Sequence, residues 1–492
     1  MSTPPADPHL PAVHVRPPRN WINDPNGLVF HDGQYHVFFQ YNPYAPRHAT
    51  IHWGHFRSPD LITWEELPVA LAPTPGGHDT DGCFSGNAVS VDGRLVAFYS
   101  AHRDDRWWQP VATAQSTDGG YTWTKRPELL IPQPPAETTM YRDPYVWQQD
   151  GRWRMLVGSA LADGRGAAQL YESGDLEHWV HLGPFHTSSP AGTADPVGWE
   201  CPQYATFGDR GVLVVSDWTE QGGPSHVTVH AGREEHGRFT ATASPVRLDH
   251  GPDFYAPALL KTPDEDRWLL WGWSWEARAD SWSGEAGWAG VLTLPRELTL
   301  ADDGTVGQRP ARELLALRGD RVVHHTGQVT PSRPTELGEV GRTFDLTAVL
   351  TPDPTGTSGL RLITSSDGAE YLDISLDPTA GHLIVDRSHA SLDARAQAGA
   401  YALPSPALKA PGAPVELRVV VDRSIAEVYL STGQALTLRF YPVGDGPWRL
   451  QARTGGRGGR AFTVEAWDLA RKAWRSSNRP GRASELIAQR SE

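Results

Sequence analysis

Residues 58–64 read SPDLITW, and the same pattern returns as STDGGYTW at 116–123 and as SGDLEHW at 173–179. The tryptophans that end the three copies are 59 and 56 residues apart. A repeat of this length, with several short strands and turns in each copy, is typical of the blades of a β-propeller. Five copies account for residues 1–310, and the sequence therefore predicts a five-bladed β-propeller there.

A second series with a similar period is acidic. It consists of Asp24, Asp81, Asp143, Glu200 and Asp253. Equivalent positions of successive blades point toward the axis of a propeller, so we expect Asp24, Asp143 and Glu200 to converge there. The alternative is that the acids only anchor turns, but five acids in phase favour convergence.

Alternating stretches such as YHVFFQY, RLVAFYS and GVLVVSDW are separated by turn residues, among them 49 glycines and 42 prolines in the whole chain. This pattern predicts strands, and the fold class is all-β. After residue 310 the pattern changes. We expect a short helix and linker at 311–340, a C-terminal β-sandwich at 341–470 and a polar tail at 471–492.

Composition narrows the class of protein. The net charge of −14 and the pI of about 5.8 argue against nucleic acid or an anionic membrane as the main partner. The sequence shows neither a long apolar run nor a recognisable signal peptide, and its two cysteines offer no disulfide framework. We therefore expect a cytoplasmic protein. Histidines and cysteines are not spaced as metal ligands, so no metal or other cofactor is predicted.

The heptapeptide WINDPNG at 21–27 surrounds the first acid of the series. Asn26-Gly27 is a strong hairpin signal, and Pro25 restricts the backbone of Asp24 to extended conformations. We therefore expect a turn at Asn26-Gly27 that holds Asp24 rigidly. The neighbouring Asn23 and Asn26 can donate hydrogen bonds, which would keep the Asp24 carboxylate ionised.

The other two acids have different neighbours. Glu200 lies between Trp199 and Cys201, an apolar setting that raises the pKa of a carboxyl group. Asp143 follows Arg142 and should stay ionised. One ionised and one protonated carboxyl group, with a third to stabilise positive charge, are the groups that a glycosidase needs. The sequence has 20 tryptophans, which suit stacking on sugar rings but are also common in β-rich cores.

The ordered motifs WINDPNG, FSG, RDP and ECP resemble glycoside hydrolase family 32, the invertase and fructanase family. The resemblance continues through FFQYNP, DFYAP and GWAGVLTLPREL and into the second domain with VVVDRSIAEVYL, over residues 14–468. It implies a five-bladed propeller followed by a β-sandwich. It also implies that Asp24 is the nucleophile, Glu200 the general acid and base, and Asp143 the stabiliser of the transition state. Further residues match positions that line the fructose subsite or support it: Asn23, Gln40, Trp53, Phe84, Ser85, Arg142, Tyr255 and Trp273.

One position departs from the family. His48 stands where members commonly carry a tryptophan against the fructosyl ring, so the preferred leaving group is open. The expected function is retaining hydrolysis of a β-fructosyl bond in sucrose, sucrose 6-phosphate or a short fructo-oligosaccharide, a small-molecule saccharide partner. The alternatives are a fructosyltransferase, a non-catalytic fructan-binding propeller or, from the acids alone, an arabinan-cleaving propeller enzyme. The sequence leaves the oligomeric state open, a homo-oligomer included.

Overall fold

The computed structural model describes residues 7–189, 197–219, 223–263, 266–331, 333–409, 412–470 and 475–476. Strands make up most of these residues, so the prediction of an all-β fold is confirmed. The described helices are α1 (Asp280–Ala286) and two 3-10 helices, Arg312–Leu317 and Pro406–Lys409. Within these residues, the model contains no helix with the length and apolar character needed to cross a membrane.

Strands β1 to β23 build five consecutive sheets, which we number 1 to 5. Sheet 1 contains β1 (Asn20–His31), β2 (Gln34–Asn42), β3 (His52–Ser58) and β4 (Glu65–Leu71). Sheet 2 contains β5 (Gly82–Val91), β6 (Arg94–His102), β7 (Val111–Ser116) and β8 (Thr124–Lys125). Sheet 3 contains β9 (Thr138–Gln149), β10 (Arg152–Leu161), β11 (Gly166–Ser173) and β12 (Trp179–Thr187).

Sheet 4 contains β13 (Gly198–Phe207), β14 (Arg210–Trp218), β15 (Pro224–Glu235), β16 (Arg238–Ala241) and β17 (Val246–Arg247). The next six strands are β18 (Tyr255–Lys261), β19 (Trp268–Ser274), β20 (Trp288–Ala289), β21 (Val291–Leu292), β22 (Arg296–Leu300) and β23 (Val306–Pro310). All of them belong to sheet 5 except β20, which pairs in parallel with β1 of sheet 1.

The remaining strands build two six-stranded sheets, which we call the C-terminal sheet pair. One has the order β24-β35-β26-β31-β32-β33 and the other β25-β34-β27-β28-β29-β30. Their bounds are β24 Arg318–Val329, β25 Thr335–Val340, β26 Thr343–Leu350, β27 Ser358–Ile363, β28 Tyr371–Asp377, β29 His382–Asp386, β30 Ala400–Pro404, β31 Val415–Asp422, β32 Ile425–Leu430, β33 Ala435–Arg439, β34 Trp448–Thr454 and β35 Arg460–Leu469. A two-residue strand, β36 (Arg475–Ser476), pairs in parallel with β4.

Burial follows the alternation that the sequence predicts. In β28 the buried residues are Leu372, Ile374 and Leu376, and the residues between them are partly exposed. These three side chains join one hydrophobic core with residues of both C-terminal sheets, such as Leu346 and Leu362. The two sheets therefore pack face to face, as period-two patterns of this kind require.

The five N-terminal sheets close into a ring. The first strands of successive sheets contact one another in the order β1, β5, β9, β13 and β18, and β18 contacts β1. The pairing of β20 with β1 joins the end of this region to its beginning. The ring therefore places the first strand of every sheet at its centre.

The hairpin predicted inside WINDPNG is absent, because β1 runs without interruption from Asn20 to His31. The chain turns instead at Asp32 and Gly33, which both have positive φ. Gly27 also has a positive φ, of 56°, but here it forms an irregularity within the strand. A Cβ atom at Gly27 would lie 2.6 Å from the ring of Phe38 and 3.0 Å from that of Trp53, so close packing explains this glycine.

The segment 311–340, interpreted from the sequence as a short helix and linker, has more structure than that. After the 3-10 helix it forms β24 and β25, which pair with β35 and β34 at one edge of each C-terminal sheet. Most residues of β24 are exposed or partly exposed, so the alternating apolar pattern that predicts a strand is missing there. Of the predicted tail 471–492, only the backbone of 475–476 belongs to the described residues.

Candidate active site

Each first strand of the ring carries a shift in its pairing register with the next strand. The shifts lie at Asp24 in β1, Ser85 in β5, Asp143 in β9, Cys201 in β13 and Ala256 in β18. A β-bulge bends a strand and re-aims one side chain, and such bulges are frequent next to active sites. Four of these bulge residues, Asp24, Ser85, Asp143 and Cys201, contact one another in one cluster.

Only three acids of the repeating series belong to the central cluster, because Asp81 and Asp253 lie outside the first strands. Asp81 lies just before β5, four positions ahead of Ser85, and its carboxylate accepts the backbone N–H of Asp104. Asp253 precedes β18, and its carboxylate binds Arg387 of the C-terminal sheet pair. The series is therefore a true repeat whose second and fifth acids lie outside the central cluster.

Asp24 is held by three polar side chains. Ser85 Oγ donates to Asp24 Oδ2 at 2.5 Å, and Gln40 Nε2 donates to the same oxygen at 3.2 Å. Asn23 Nδ2 donates to Asp24 Oδ1 at 3.1 Å and to Gln40 Oε1 at 2.9 Å. The network comes from three strands, β1, β2 and β5, and it fixes the carboxylate from one side.

Asp143 lies beside Asp24 across one thiol. Cys201 Sγ is 3.6 Å from Asp24 Oδ2 and 3.6 Å from Asp143 Oδ2. The backbone N–H of Cys201 donates to Asp143 Oδ2 at 3.1 Å, and the backbone N–H of Asp143 donates to Ser100 Oγ at 2.7 Å. Asp143 and Cys201 both have positive φ values, 65° and 45°. This unusual backbone is how both bulges turn toward the centre.

Glu200 faces a cation and a phenol. Arg142 Nη1 donates to Glu200 Oε1 at 3.0 Å, and the Tyr255 hydroxyl donates to Glu200 Oε2 at 2.9 Å. Arg142 thus pairs with Glu200, although its neighbour in the sequence is Asp143. Its guanidinium also lies over the ring of Trp218, 5.7 Å from the centroid.

The three carboxyl groups have separated pKa values. Burial raises the pKa of Glu200 to about 8, against the opposing charge of Arg142 and with the help of the charges of Asp143 and Asp24. Burial also raises the pKa of Asp24, opposed by the Ser85 hydrogen bond, to about 6. Near neutral pH, Glu200 is therefore protonated and Asp24 ionised. This is the division predicted from their neighbours, with a higher pKa for Asp24 than hydrogen bonds alone would give.

The pKa of Asp143 differs from the expectation. Burial raises it, despite the charge of Arg142 and the N–H of Cys201. The sequence suggested an ordinary ionised carboxylate because Arg142 is the preceding residue. The charge of Arg142 still lowers the pKa of Asp143, but burial outweighs it.

Aromatic rings form one wall next to the carboxylates. Trp273 and Trp21 contact edge to face, with centroids 5.7 Å apart, and Trp21 contacts His48 at 6.1 Å. His48 contacts Phe84 at 5.5 Å, and Phe84 stacks on His102 at 4.2 Å. His48, whose role the sequence left open, therefore belongs to this wall.

Trp53 lies beneath the site rather than on its surface. Its side chain is fully buried, and its indole N–H donates to the carbonyl of Phe84 at 3.0 Å. It supports the strand that carries Ser85. Among the predicted residues, the structure brings Asn23, Gln40 and Ser85 to Asp24 and brings Arg142 and Tyr255 to Glu200.

Sequence reasoning missed four members of this region: Ser100, Cys201, Trp21 and His102. The sequence interpretation treated Cys201 only as an apolar neighbour of Glu200. The period could have found it, because it is 58 residues after Asp143. Ser100 and His102 lie on β6, whose contribution depends on pairing with β5 and leaves no local signal. Over the described ranges, no group of three His, Cys, Asp or Glu side chains is arranged to hold a metal ion.

Comparisons with known proteins agree with this geometry. The family model described as Glycosyl hydrolases family 32 N-terminal domain matches residues 14–310, and the one described as Glycosyl hydrolases family 32 C terminal matches residues 313–468. A sucrose-6-phosphate hydrolase of Zymomonas mobilis is 32% identical over 463 residues, 88% of this chain and 87% of that protein. A raffinose invertase of Escherichia coli is 34% identical over 460 residues, 88% and 90% of the two chains.

Solved structures are similar over nearly the whole chain. A family 32 β-fructofuranosidase of Bombyx mori superposes with a TM-score of 0.79 at 27% identity, covering 94% of both chains. Fructan 1-exohydrolase IIa of Cichorium intybus has a TM-score of 0.85 at 24% identity, covers 96% of this chain and 99% of that one, and supports the fold. The protein is a glycoside hydrolase, and the chain belongs to glycoside hydrolase family 32.

Proposed function

We propose that this protein is a retaining β-fructofuranosidase that releases the terminal fructosyl unit of sucrose, sucrose 6-phosphate or a short fructo-oligosaccharide. The observation that carries the proposal is one buried cluster in which the pKa of Asp24 is about 6 and that of Glu200 about 8. Such a pair supplies an ionised nucleophile and a protonated acid at the same pH. Retaining glycosidases need these two groups about 5–5.5 Å apart.

In the first step, a carboxylate oxygen of Asp24 attacks the anomeric carbon of the fructosyl unit. Ser85, Gln40 and Asn23 already hold the carboxylate in place, so it loses little orientational entropy when the bond forms. Glu200 gives its proton to the oxygen that leaves with the rest of the sugar. The products of this step are a fructosyl ester on Asp24 and a free alcohol.

In the second step, Glu200 acts as a base. It is now ionised and removes a proton from water, which attacks the anomeric carbon and releases Asp24. Two inversions at the same carbon retain its configuration. Arg142 and Tyr255 contact the two oxygens of Glu200 and stabilise the ionised form between the steps.

Asp143 stabilises the transition state in this proposal. The fructosyl ring becomes positively charged as the bond to the leaving oxygen breaks, and a nearby carboxylate favours that charge. The N–H of Cys201 and the thiol fix Asp143 Oδ2, while Oδ1, which has only the 3.5 Å contact from Ser100 Oγ, can accept hydrogen bonds from fructosyl hydroxyls. The aromatic wall supplies apolar faces for the sugar rings.

We also propose that the ring of five sheets is a five-bladed propeller and the C-terminal sheet pair a β-sandwich. The closed order of the first strands and the shared core of the two last sheets support this architecture. The substrate range rests on the names of similar proteins, which are hydrolases of sucrose 6-phosphate, an invertase of raffinose and a β-fructofuranosidase. A cytoplasmic location stays part of the proposal.

The experiment is a panel of sucrose, sucrose 6-phosphate, raffinose, inulin and levan, with free fructose and free glucose measured separately. The expected result is equal release of fructose and glucose from sucrose. Glucose in excess over fructose would mean transfer of the fructosyl unit to another sugar. Binding of fructans without any release would reject an enzymatic role on these substrates.

A further inference from the structure

The C-terminal sheet pair reaches the active site through one buried ion pair. Arg387 follows β29 and binds the carboxylate of Asp253, which precedes β18 of the ring. Both residues are almost fully buried, with 2% and 1% of their surface exposed. The backbone N–H of Arg439 donates to the same carboxylate oxygen at 2.7 Å.

Asp253 connects this ion pair to the ring of Tyr255. Trp275 donates its indole N–H to Asp253 Oδ1 at 3.2 Å, and its ring lies 5.7 Å from that of Tyr255. Asp253 is also only two residues from Tyr255 along the chain. The Tyr255 hydroxyl donates to Glu200. Both routes, one along the backbone and one through Trp275, therefore join Arg387 to Glu200.

We propose that Arg387 is a positioning residue for the acid Glu200, acting through Asp253, Trp275 and Tyr255, so that the C-terminal sheet pair takes part in catalysis. This inference rests on the proposed function. A buried carboxylate without its cation rearranges or takes up a proton. Loss of Arg387 would thus release the start of β18 and weaken the contact of Tyr255 with Glu200. Even a small displacement of Glu200 should lower the rate, because proton transfer depends on the distance and orientation of the donor.

The pair Arg361–Asp373 provides a matched control. Arg361 binds Asp373 through two nitrogens, at 2.6 and 2.5 Å, between neighbouring strands β27 and β28 of the C-terminal sheet pair. Its guanidinium also lies against a tyrosine, Tyr371. Arg361 and Asp373 are more exposed, with 18% and 26% of their side chains accessible against 0% and 1% for Arg387 and Asp253. Arg361→Ala therefore controls for the loss of an arginine–aspartate pair that lies within the C-terminal sheets and does not contact the ring.

The test compares Arg387→Ala, Arg387→Lys, Trp275→Phe and Arg361→Ala. Each is assayed for turnover of sucrose and of an aryl β-fructoside whose leaving group needs little protonation, across the pH range. We expect Arg387→Ala to lower kcat on sucrose about tenfold or more. The aryl substrate should lose much less. Arg387→Lys should restore part of the sucrose activity, and Arg361→Ala should match the wild type on both substrates.

The alkaline limb of the pH profile gives a second readout. Five titratable groups face Glu200: Arg142, Asp143, Asp24, Tyr255 and the thiol of Cys201. The Tyr255 hydrogen bond lowers the pKa of Glu200, so its weakening should move the alkaline limb of Arg387→Ala to higher pH. Trp275→Phe keeps a ring against Tyr255 but removes the hydrogen bond to Asp253, and a smaller shift in the same direction is expected. If Arg387→Ala does not fold, the pH profile of Trp275→Phe tests the positioning role instead.

A purely structural role predicts another outcome. Arg387→Ala and Trp275→Phe would then melt earlier but keep the wild-type ratio of sucrose to aryl activity and the wild-type alkaline limb, and the inference would be overturned. A wild-type protein that releases no fructose from either substrate would instead reject the proposed function. The two failures are therefore distinguishable.

Discussion

The pKa values of two buried glutamates of this protein are shifted in opposite directions. Glu200 in the ring has a pKa raised to about 8, and Glu427 in β32 has a pKa lowered to about 2. Burial raises the pKa in both cases. The difference comes from their partners, because Glu427 receives hydrogen bonds from Arg296, His14 and others, whereas Glu200 shares its surroundings with two further carboxylates.

The partners of Glu427 compensate its charge fully. Arg296 donates through two nitrogens, at 3.1 and 2.8 Å, His14 lies at 2.9 Å, and the N–H of Leu294 donates at 2.8 Å. The cluster joins the ring to the C-terminal sheet pair. The comparison teaches that burial is offset by paired cations where the two parts of the protein meet and is not fully offset in the proposed active site.

The largest expected effect follows from removing the nucleophile. Asp24→Asn should lower kcat on sucrose by about 10⁴-fold or more, since a neutral amide cannot attack the anomeric carbon. The fold should persist, because the variant removes one of several like charges. Asp81→Asn is the matched control from the same acidic series and should turn over sucrose normally. Near-normal activity of a pure Asp24→Asn sample would contradict the assignment.

Removing the acid should cost less and should depend on the substrate. Glu200→Ala is expected to lower kcat on sucrose by about 10²- to 10⁴-fold. With an aryl fructoside the loss should shrink, because a phenolate leaves without a proton. Parallel kinetics on the two substrates measure this difference. An equal loss on both would show that Glu200 has another role.

The counterpart in the paired cluster should change stability rather than turnover. Glu427→Gln leaves Arg296 and His14 buried without their full charge partner and should lower the free energy of unfolding by about 3–5 kcal/mol. Turnover per folded molecule should stay near that of the wild type. The control is Glu465→Gln, whose Arg321 and His324 partners are exposed, with an expected change of about 0–1 kcal/mol. Urea unfolding followed by tryptophan fluorescence measures both.

The pH dependence of kcat/KM should be bell-shaped. The proposed mechanism requires Asp24 ionised and Glu200 protonated, so kcat/KM should fall below about pH 6 and above about pH 8. Arg142→Gln removes the cation that lowers the pKa of Glu200 and should move the alkaline limb to higher pH. A limb that stays in place would mean that another group controls it.

The last prediction concerns stability as a function of pH. The pKa of Glu200 is about 8 in the folded state and ordinarily 4.5, so between these values the folded state holds a proton that the unfolded state has lost. The contribution of Glu200 to stability is therefore full below 4.5 and is lost as the pH rises through 8. Glu200→Gln lacks this loss and should gain stability relative to the wild type as the pH rises. Unfolding curves near pH 5 and pH 8 test the sign.

The convergence of three acids was within reach of the sequence, because one blade length separates equivalent positions of a ring. The period alone does not say which residue of each strand bends inward. That choice depends on the bulges, which are set by pairing between strands. Asp253 shows the consequence: it has the right period, but it lies just before its strand and binds Arg387.

The sequence also could not predict contacts between residues that lie far apart along the chain. Arg142 pairs with Glu200, 58 residues on, rather than with the adjacent Asp143. His48 could be singled out as a departure from the family, but its contacts with Trp21 and Phe84 required the folded ring. Strand β24 was not predicted, because an exposed edge strand shows no alternation of apolar and polar residues.

The contacts of the N-terminal segment can form only late during synthesis of the chain, because their partners lie far along the sequence. The carboxylate of Asp422 accepts the backbone N–H groups of Ala12, Val13 and His14, and β20 pairs with β1. Asp24 is thus synthesised about 260 residues before β20 and about 400 residues before Asp422. At about 5–20 residues per second, this delay is tens of seconds. A nascent chain therefore carries Asp24, the proposed nucleophile, before the residues that fasten its N-terminal segment have been made.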